Sequence, residues 1–342
     1  MMNIAIVGRA GVFPQSVDLA AFWDNIVHCR DMTSEVPDGR WRLDSNRVLN
    51  HSVEGTWSNR GGYVPTMDLV PSDAWSLDDS DIAGLDPLQS WVLHTAQGAI
   101  NDGARLPRER TGLILGNLSF PSSAMSAYVE RQWFPNVSNS QTHPNHRFMS
   151  GRPALLAKKA FALGGPAWSL DCACASGLVS IHLGCEALMS GQMDAVLAGA
   201  VNRADDLFIH MGFTALKALS RSGRSQPFSA DADGLLPAEG AGFVLLKRLE
   251  DAQRDGDPIF GVIRGTGVSN DGRGKGLLVP ASRGQVQAMS MAYQRAAVTP
   301  ESIQMVECHA TGTVLGDGTE LRSMAEVFNG AQTPWVGSLK GN

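Results

Sequence analysis

The stretch DCACASGLVSIHLGCEALMSGQMDAVLAGA, residues 171–200, decides the expected fold. Strand-type sequence, PAWSLD, leads into it, and small residues then give way to a helix expected over residues 174–190. That helix is apolar on nearly every side, as buried helices are. A strand is expected next, over residues 195–198. The segment therefore predicts strand, helix and strand in a layered α/β protein.

Two thiols, Cys172 and Cys174, lie at the start of this helix, and the local sequence allows three interpretations. The unpaired amides and the dipole of a first helical turn favour a thiolate at Cys174, which would make it a nucleophile. Packed core cysteines are equally typical of such a segment. A metal pair with His182 is the third, although C-x-C without a second pair is weak evidence for zinc. The segment alone does not distinguish a nucleophilic cysteine from a cysteine packed in the core.

Strand-type and helix-type segments alternate along most of the chain, which supports the α/β prediction. Residues 31–80 show no clear period and are expected to form a surface insertion, and residues 122–152 are expected to form a loop that either covers a site or is an ordinary connection. The remaining strands are expected at residues 3–7, 112–115, 242–246, 259–265, 304–308 and 335–338, and the remaining helices at 88–102, 285–297 and 319–328.

The composition of the 342 residues excludes several classes of protein. A net charge of −6 offers no field for a nucleic-acid backbone, so no nucleic-acid partner is expected. Five cysteines without scaffold spacing indicate reduced thiols and a cytoplasmic location. No leader and no apolar run of about 18 residues is present, so neither export nor a membrane span is expected. The opening VGRAGVFP lacks the G-x-G-x-x-G of dinucleotide-binding proteins.

Two later motifs carry candidate chemistry. VECHATGTVLGDGTELRSM, residues 306–324, places His309 at the carboxyl end of a strand, where open α/β sheets bind ligands, and Thr311 and Thr313 offer hydroxyls beside it. WVGSLKGN, residues 335–342, ends a strand with Lys340 and Asn342. Taken singly, a turn-capping histidine and an ordinary surface lysine explain these residues as well.

In this order, the three blocks resemble the β-ketoacyl synthases, the condensing enzymes of fatty-acid and polyketide assembly. DCACASGL resembles the family's D-T-A-C-S-S-S-L, with Cys174 as nucleophile and Cys172, expected to be a packing residue, at the Thr position. ECHATGTVLGDGTE resembles E-A-H-G-T-G-T-x-x-G-D-P-x-E, which implies a catalytic His309, pantetheine contacts from Thr311 and Thr313, and a supporting Asp317.

Further matches extend this resemblance along essentially the whole chain. PFSADADGLLPAEGAGFVLLKRLEDA, centred on Glu239, IAIVGRAGVFPQSVDLAAFWDNI and LDPLQSWVLHTAQGAINDGA also follow the family pattern. By the same resemblance Lys340 is catalytic, and Glu239 and Asn342 are supporting. GLILGNLSFP looks most like the ketosynthases of type I polyketide and polyunsaturated-fatty-acid synthases.

The resemblance implies a thiolase-like, layered α-β-α-β-α fold of two similar halves, which is usually dimeric. Residues 1–258 are expected to form the first half, and residues 259–342 the start of an incomplete second half. It implies acyl transfer to Cys174 followed by decarboxylative condensation with a malonyl-type extender. Neither a metal nor a cofactor is implied, because the phosphopantetheine arm of an acyl carrier protein brings the substrate. Two basic runs are candidate carrier contacts: Arg147, Arg152, Lys158 and Lys159, and Arg221 with Arg224.

Departures from the family pattern leave alternatives open. They are Ser229 for Asp, Pro237 and Ala238 before Glu239, Ala310 for Gly and Gly318 for Pro, and the family's second histidine, which follows K-x-N, is absent from residues 1–342. We therefore expect acyl acceptance without full condensation, and exposed apolar surface that promotes aggregation. A non-catalytic partner of the chain-length-factor type, or a remnant, is the main alternative. A thiolase that uses coenzyme A is disfavoured by HATGT.

Overall fold

The computed structural model describes residues 3–50, 54–67, 75–136, 142–146, 149–274, 276 and 279–341. Two residues singled out from the sequence, Arg147 and Asn342, lie outside this set.

The strands are β1 Ile4–Val12, β2 Thr33–Glu35, β3 Arg60–Gly62, β4 Thr111–Asn117, β5 Ala167–Leu170, β6 Ala195–Asn202, β7 Gly240–Arg248, β8 Gly261–Ile263, β9 Met305–Glu307 and β10 Trp335–Gly337. The helices are α1 Leu19–Val27, α2 Ser45–Val48, α3 Asp79–Ile82, α4 Pro87–Asn101, α5 Ser123–Trp133, α6 Arg152–Ala160, α7 Ser176–Met189, α8 Asp206–Ala215, α9 Leu249–Asp255, α10 Ser282–Ala296 and α11 Val314–Val327.

A mixed six-stranded sheet forms the centre of the larger unit, in the order β5-β4-β6-β7-β1-β8. Strands β5, β4 and β6 are parallel, whereas β7 runs antiparallel to β6 and β1. Strand β8 adds to β1 at the far edge, also antiparallel. Because β4 and β5 are parallel neighbours, their carboxyl ends meet at one edge of the sheet, which is where the loop carrying the two thiols begins.

Helices cover both faces of this sheet. The side chains of β4 alternate between them: Leu113 and Leu115 pack with α4 and α6, whereas Ile114 packs with Leu188 of α7 on the opposite face. Helix α4 begins with a capping box in which Asp86 accepts the Gln89 amide at 3.0 Å. The result is a helix-sheet-helix sandwich whose interior is apolar along β4.

A smaller unit contains the histidine and lysine motifs. Strands β9 and β10 form a parallel pair, and α10 packs against α11 around Cys308 and Met324. Two polar contacts join this unit to α7 of the larger one: Arg295 bonds Glu186 at 2.8 Å, and Thr266 meets His182 Nδ1 at 2.8 Å. The outer side of the pair is open, with Trp335 82% exposed.

Several local expectations need correction. Helix α7 begins at Ser176, two residues later than predicted, and it is not buried on every side, because Leu178 faces away from the sheet and is 76% exposed. The segment 122–152 contains a real helix, α5, whose N-cap Ser122 accepts the Met125 amide at 3.2 Å. Ser122, a favoured N-cap residue, was the sequence feature that could have predicted this helix.

The region 31–80 holds more order than its sequence suggested. Strands β2 and β3 pair antiparallel within it, and the Gly62 amide at the end of β3 donates to Pro237 O at 2.9 Å. No helix in the described part of the chain is long and apolar enough to cross a bilayer.

Candidate active site

The thiol-bearing turn follows directly from the end of β5. The Asp171 carboxylate accepts hydrogen bonds from the backbone amides of Ser119 at 2.9 Å and of Ala173 at 3.0 Å. The hydrogen bond from the Ser119 amide, and then that from the Ala173 amide, lower the pKa of Asp171 below its ordinary value. Since Ser119 follows β4, Asp171 ties together the loops at the carboxyl ends of two neighbouring strands.

Ser176 fixes the turn from its other side. Its Oγ accepts the Cys172 amide at 2.9 Å and donates to Ala173 O at 2.7 Å. Ala173 takes a left-handed conformation, with φ of 50°, which reverses the chain before α7. The Ala173 amide donates to Asp171, and the Ala175 amide donates to Cys172 O at 3.1 Å. Cys174 therefore lies in a turn closed by local hydrogen bonds, two residues before α7 begins.

Both thiols of the turn are exposed, which corrects the expectation that Cys172 is a packing residue. The turn follows the end of β5, and residues 171–175 are all exposed. Cys185 and Cys308, by contrast, are buried, and burial raises the pKa of Cys185 to about 12 and that of Cys308 to about 11. The buried thiols are therefore poor nucleophiles near neutral pH.

The metal interpretation of the two thiols finds no support. His182 Nδ1, its third candidate ligand, is occupied by Thr266 Oγ1 at 2.8 Å. Within the described ranges, no group of three or more His, Cys, Asp or Glu side chains is arranged to hold a metal ion.

His309 lies just beyond the end of β9, and one carboxylate holds its backbone. Glu320 of α11 accepts the His309 amide at 2.7 Å through one oxygen and the Ala310 amide at 2.8 Å through the other. Sequence reasoning placed Glu320 on a helix but left it out of the site. The sequence feature that could have indicated this function of Glu320 was its position in GDGTE, one helical turn after Asp317.

Asp317 and Gly312 fix the loop that carries the two threonines. Asp317 accepts the Gly312 amide at 3.2 Å and the Phe228 amide at 2.8 Å, which ties the loop to the segment before β7. Gly312 has φ of +80° and passes so close to Gly234 that a Cβ would lie 2.8 Å from its carbonyl oxygen. Thr311 and Thr313 then bring their hydroxyl oxygens to 3.4 Å from each other.

Lys340 reaches the same place from β10. Its ammonium group donates to Cys308 O at 2.9 Å, and the Leu339 amide donates to Glu307 at 2.8 Å. The positive charge lies beside His309, whose pKa is lowered, mainly because surrounding protein desolvates the imidazole and secondly because of Lys340. The site is thus built to keep His309 neutral near neutral pH.

Glu239 has a different environment from the other predicted site residues. It is buried, accepts the Val64 amide at 2.7 Å and lies within ion-pair distance of Arg40 at 2.5 Å and Arg203 at 3.3 Å. Burial raises the pKa of Glu239, and the two guanidinium groups oppose that effect. Its contacts join the β3 segment to β7, which is a structural function.

The predicted residues thus form two groups. His309, Thr311, Thr313 and Lys340 lie in one cluster around the end of β9, with Asp317 holding it. Cys174 lies at the loop edge of the main sheet. Among the described residues, no hydrogen bond or ion pair joins Cys174 to the histidine cluster.

Comparison with known proteins identifies the family. The profile described as "Beta-ketoacyl synthase, N-terminal domain" matches residues 1–252, and "Beta-ketoacyl synthase, C-terminal domain" matches residues 260–342. Over 99% of this chain, the PKS-NRPS hybrid synthetase acdB of Aspergillus candidus is 33% identical, and a phenolphthiocerol/phthiocerol polyketide synthase of Mycobacterium tuberculosis is 34% identical. The chain spans 14% and 19% of those two proteins.

Solved structures give the same answer for the fold. The PfaC keto synthase-chain length factor matches 100% of the chain with a TM-score of 0.95 at 35% identity, and the chain covers 40% of it. The ketosynthase from module 6 of the bacillaene synthase of Bacillus subtilis 168 matches 99% of the chain with a TM-score of 0.82 at 29% identity, with 57% of it covered.

The sheet flanked by helices and these structural matches define a thiolase-like protein, which confirms the predicted fold class. The chain belongs to the β-ketoacyl synthase family, and its relatives are the ketosynthases of type I polyketide synthases, as the sequence indicated. Ketosynthases carry no cofactor of their own, because the phosphopantetheine arm belongs to the acyl carrier protein.

Proposed function

We propose that the chain is the acyl-accepting part of a β-ketoacyl synthase that extends a carrier-bound acyl group in polyketide or fatty-acid assembly. The observation that carries the proposal is the turn at residues 171–176. It presents an exposed Cys174 before α7, in a turn shaped by the left-handed Ala173 and by the hydrogen bonds of Ser176. The retained thiol argues against a non-catalytic partner, since such partners typically replace it.

In the first step Cys174 would attack the carbonyl carbon of an acyl thioester. The carrier thiolate leaves, and an acyl-cysteine remains on the enzyme. The Cys174 amide, together with the start of α7, would stabilise the negative charge that develops on the carbonyl oxygen. The hydrogen bonds that Asp171 and Ser176 accept from the Ala173 and Cys172 amides would hold this geometry before the substrate arrives.

The second step would take place at the histidine cluster. Thr311 and Thr313 offer two hydroxyls for the amide groups of a pantetheine arm. A neutral His309 can donate a hydrogen bond to the enolate oxygen that forms when a malonyl thioester loses carbon dioxide. Lys340 supports this state by its positive charge, which disfavours a protonated imidazole next to it.

Lys340 provides a direct test of the histidine's charge state. In Lys340→Met, the positive charge beside His309 is lost while desolvation remains, so the pKa of His309 is expected to rise toward its ordinary value. The neutral imidazole is then lost at a higher pH on acidification. An NMR titration of the labelled imidazole measures this directly, with Lys158→Met as a control distant in sequence. An unchanged or lower His309 pKa in Lys340→Met would contradict the assignment.

Of the two basic runs, the one at Arg224 suits an acidic carrier better. Lys159 is already paired with Asp78 at 3.1 Å and with Asp81, and Arg152 donates to Asn145 at 2.6 Å. Arg224 lines a polar cleft of about 410 Å³ with Arg30 and Gly341. The cleft adjoins the histidine cluster, because Ser225 donates to Lys340 O at 3.5 Å.

Acyl transfer from two donors tests the function and the carrier contact together. An acyl carrier thioester is expected to acylate the chain once, and the same acyl group on coenzyme A is expected to react more slowly. Arg224→Gln should slow transfer from the carrier by about fivefold, roughly 1 kcal/mol for an exposed charge contact, and leave the coenzyme A reaction unchanged. Lys159→Gln is the matched control. Absence of acylation from both donors would overturn the proposed function, and equal effects of both variants would overturn the Arg224 contact.

A homodimer is the oligomeric state we propose for this protein. Strand β5 lies at the edge of the main sheet, with β4 as its partner, so its outer backbone groups are available for pairing with a second copy. The thiol-bearing turn follows β5 directly, so a dimer formed there would fix the position of Cys174 as well.

A further inference from the structure

Two exposed thiols, separated by a single residue, lie in the turn that carries the nucleophile. In an extended chain the Cα atoms of residues i and i+2 lie about 6.7 Å apart, which is already within the range of about 4.4 to 6.8 Å that disulfides span. Ala173, between them, has φ of 50°, and a left-handed residue turns the chain and shortens that separation. The Cα separation is therefore within the range that a Cys172–Cys174 disulfide needs.

The environments of the five cysteines single out this pair. Cys185 and Cys308 are buried and their thiols have raised pKa values, so they are protected and weakly reactive. Cys29 is exposed but lies in a separate loop after α1. Cys174 precedes the first turn of α7, where helix amides favour a negative charge. Cys174 and Cys172 are the two exposed thiols that lie closest together in the sequence.

We propose that Cys172 is a resolving thiol that protects Cys174 by forming a reversible Cys172–Cys174 disulfide. In the first step the Cys174 thiolate attacks hydrogen peroxide, the O–O bond breaks, hydroxide leaves, and Cys174 becomes a sulfenic acid. In the second step the Cys172 sulfur attacks the Cys174 sulfur. The S–O bond breaks, and water leaves with the proton of the Cys172 thiol. A dithiol reductant then restores both thiols and is itself oxidised to a disulfide.

The chain's departure from the family pattern agrees with this function. The family motif has a threonine at the position of Cys172, and a hydroxyl group cannot form the bond. Without a resolving thiol, a sulfenic acid proceeds to sulfinic and sulfonic acids, which are lost to catalysis. The consequence for activity rests on the proposed function of Cys174 as acyl acceptor, whereas formation of the disulfide does not depend on it.

Peroxide treatment of the full chain followed by alkylation and peptide mass measurement tests the proposal. After mild oxidation, wild-type protein should lose two alkylatable thiols, both within residues 171–176, and regain them with dithiothreitol. Acyl acceptance should be lost and regained in parallel. In Cys172→Ala the same treatment should give irreversible sulfinic or sulfonic acid at Cys174. Cys29→Ala, which removes the other exposed thiol, is the matched control and should show the same reversible oxidation of Cys172 and Cys174 as wild type.

Three results would overturn the proposal: over-oxidation of Cys174 at the same rate in wild type and in Cys172→Ala, a disulfide between two chains, or a disulfide that involves Cys29. Failure of reduced wild-type protein to accept an acyl group would instead contradict the proposed function alone. Because the disulfide is detected by mass and by thiol count, it is measured whether or not acyl transfer occurs.

Discussion

Cys174→Ala is expected to abolish acylation of the chain by a carrier thioester, a loss of about 10³-fold or more, because no covalent acyl-enzyme can form without the thiol. The side chain is exposed, so the substitution leaves no cavity, and the bonds of Asp171 and Ser176 to the backbone of the turn do not involve the sulfur. The variant should therefore fold as the wild type does. Intact-protein mass after incubation with the donor gives the acylated fraction.

Cys172→Ala is the matched control for this result. Its thiol is also exposed and lies two residues away, but its amide donates to Ser176 whichever side chain it carries. Under reducing conditions we expect this variant to accept the acyl group at nearly the wild-type rate. Acylation that survives in Cys174→Ala, or that disappears in Cys172→Ala, would assign the nucleophile to the other thiol.

The main sheet could be predicted from sequence because its signals are local. The run Leu113 to Leu115 has strand composition, and the alternation of its side chains between two apolar layers explains why every residue in it is apolar. The predicted strands at 112–115, 195–198 and 242–246 all lie inside β4, β6 and β7. The motifs at Cys174 and His309 were likewise readable, since each fills a few consecutive positions after a strand.

The supporting contacts of the site could not be predicted, because they join distant parts of the chain. Asp171 bonds the Ser119 amide across 52 residues, and Arg40 bonds Glu239 across 199. Nothing in the sequence around residue 40 indicates that its charge is needed at residue 239. The exposure of Cys172 could not be predicted from its neighbours either. The small, mostly apolar residues of CACAS predict burial, but the turn that contains them follows the end of β5 and is exposed.

A buried lysine gives the largest effect that we expect on stability. Lys247 of β7 is 1% exposed, and its ammonium group lies 2.6 Å from Asp255 and 2.5 Å from Asp257. It also donates to Arg105 O at 3.3 Å, and Asp257 accepts the Arg105 amide at 2.7 Å. One ammonium group thus holds together the strand, the loop after α4 and the turn that leads to β8.

Lys247→Met should lower the free energy of unfolding by about 3–5 kcal/mol, because it leaves the buried Asp257 carboxylate without its counter-charge. Methionine keeps most of the length of the lysine stem, so the loss of charge and not of volume dominates. Urea unfolding followed by circular dichroism measures the change, and Lys158→Met, which removes a half-buried lysine of α6, should change the value by less than about 1 kcal/mol.

The double variant Lys247→Met with Asp257→Asn separates the two contributions to this loss. An amide is far cheaper to bury than an unpaired carboxylate, and asparagine retains a carbonyl oxygen to accept the Arg105 amide. The double variant should therefore be more stable than Lys247→Met alone, by about 1–3 kcal/mol. If it were less stable, the contribution of Lys247 would lie in its packing and in its bond to Arg105, not in neutralising Asp257.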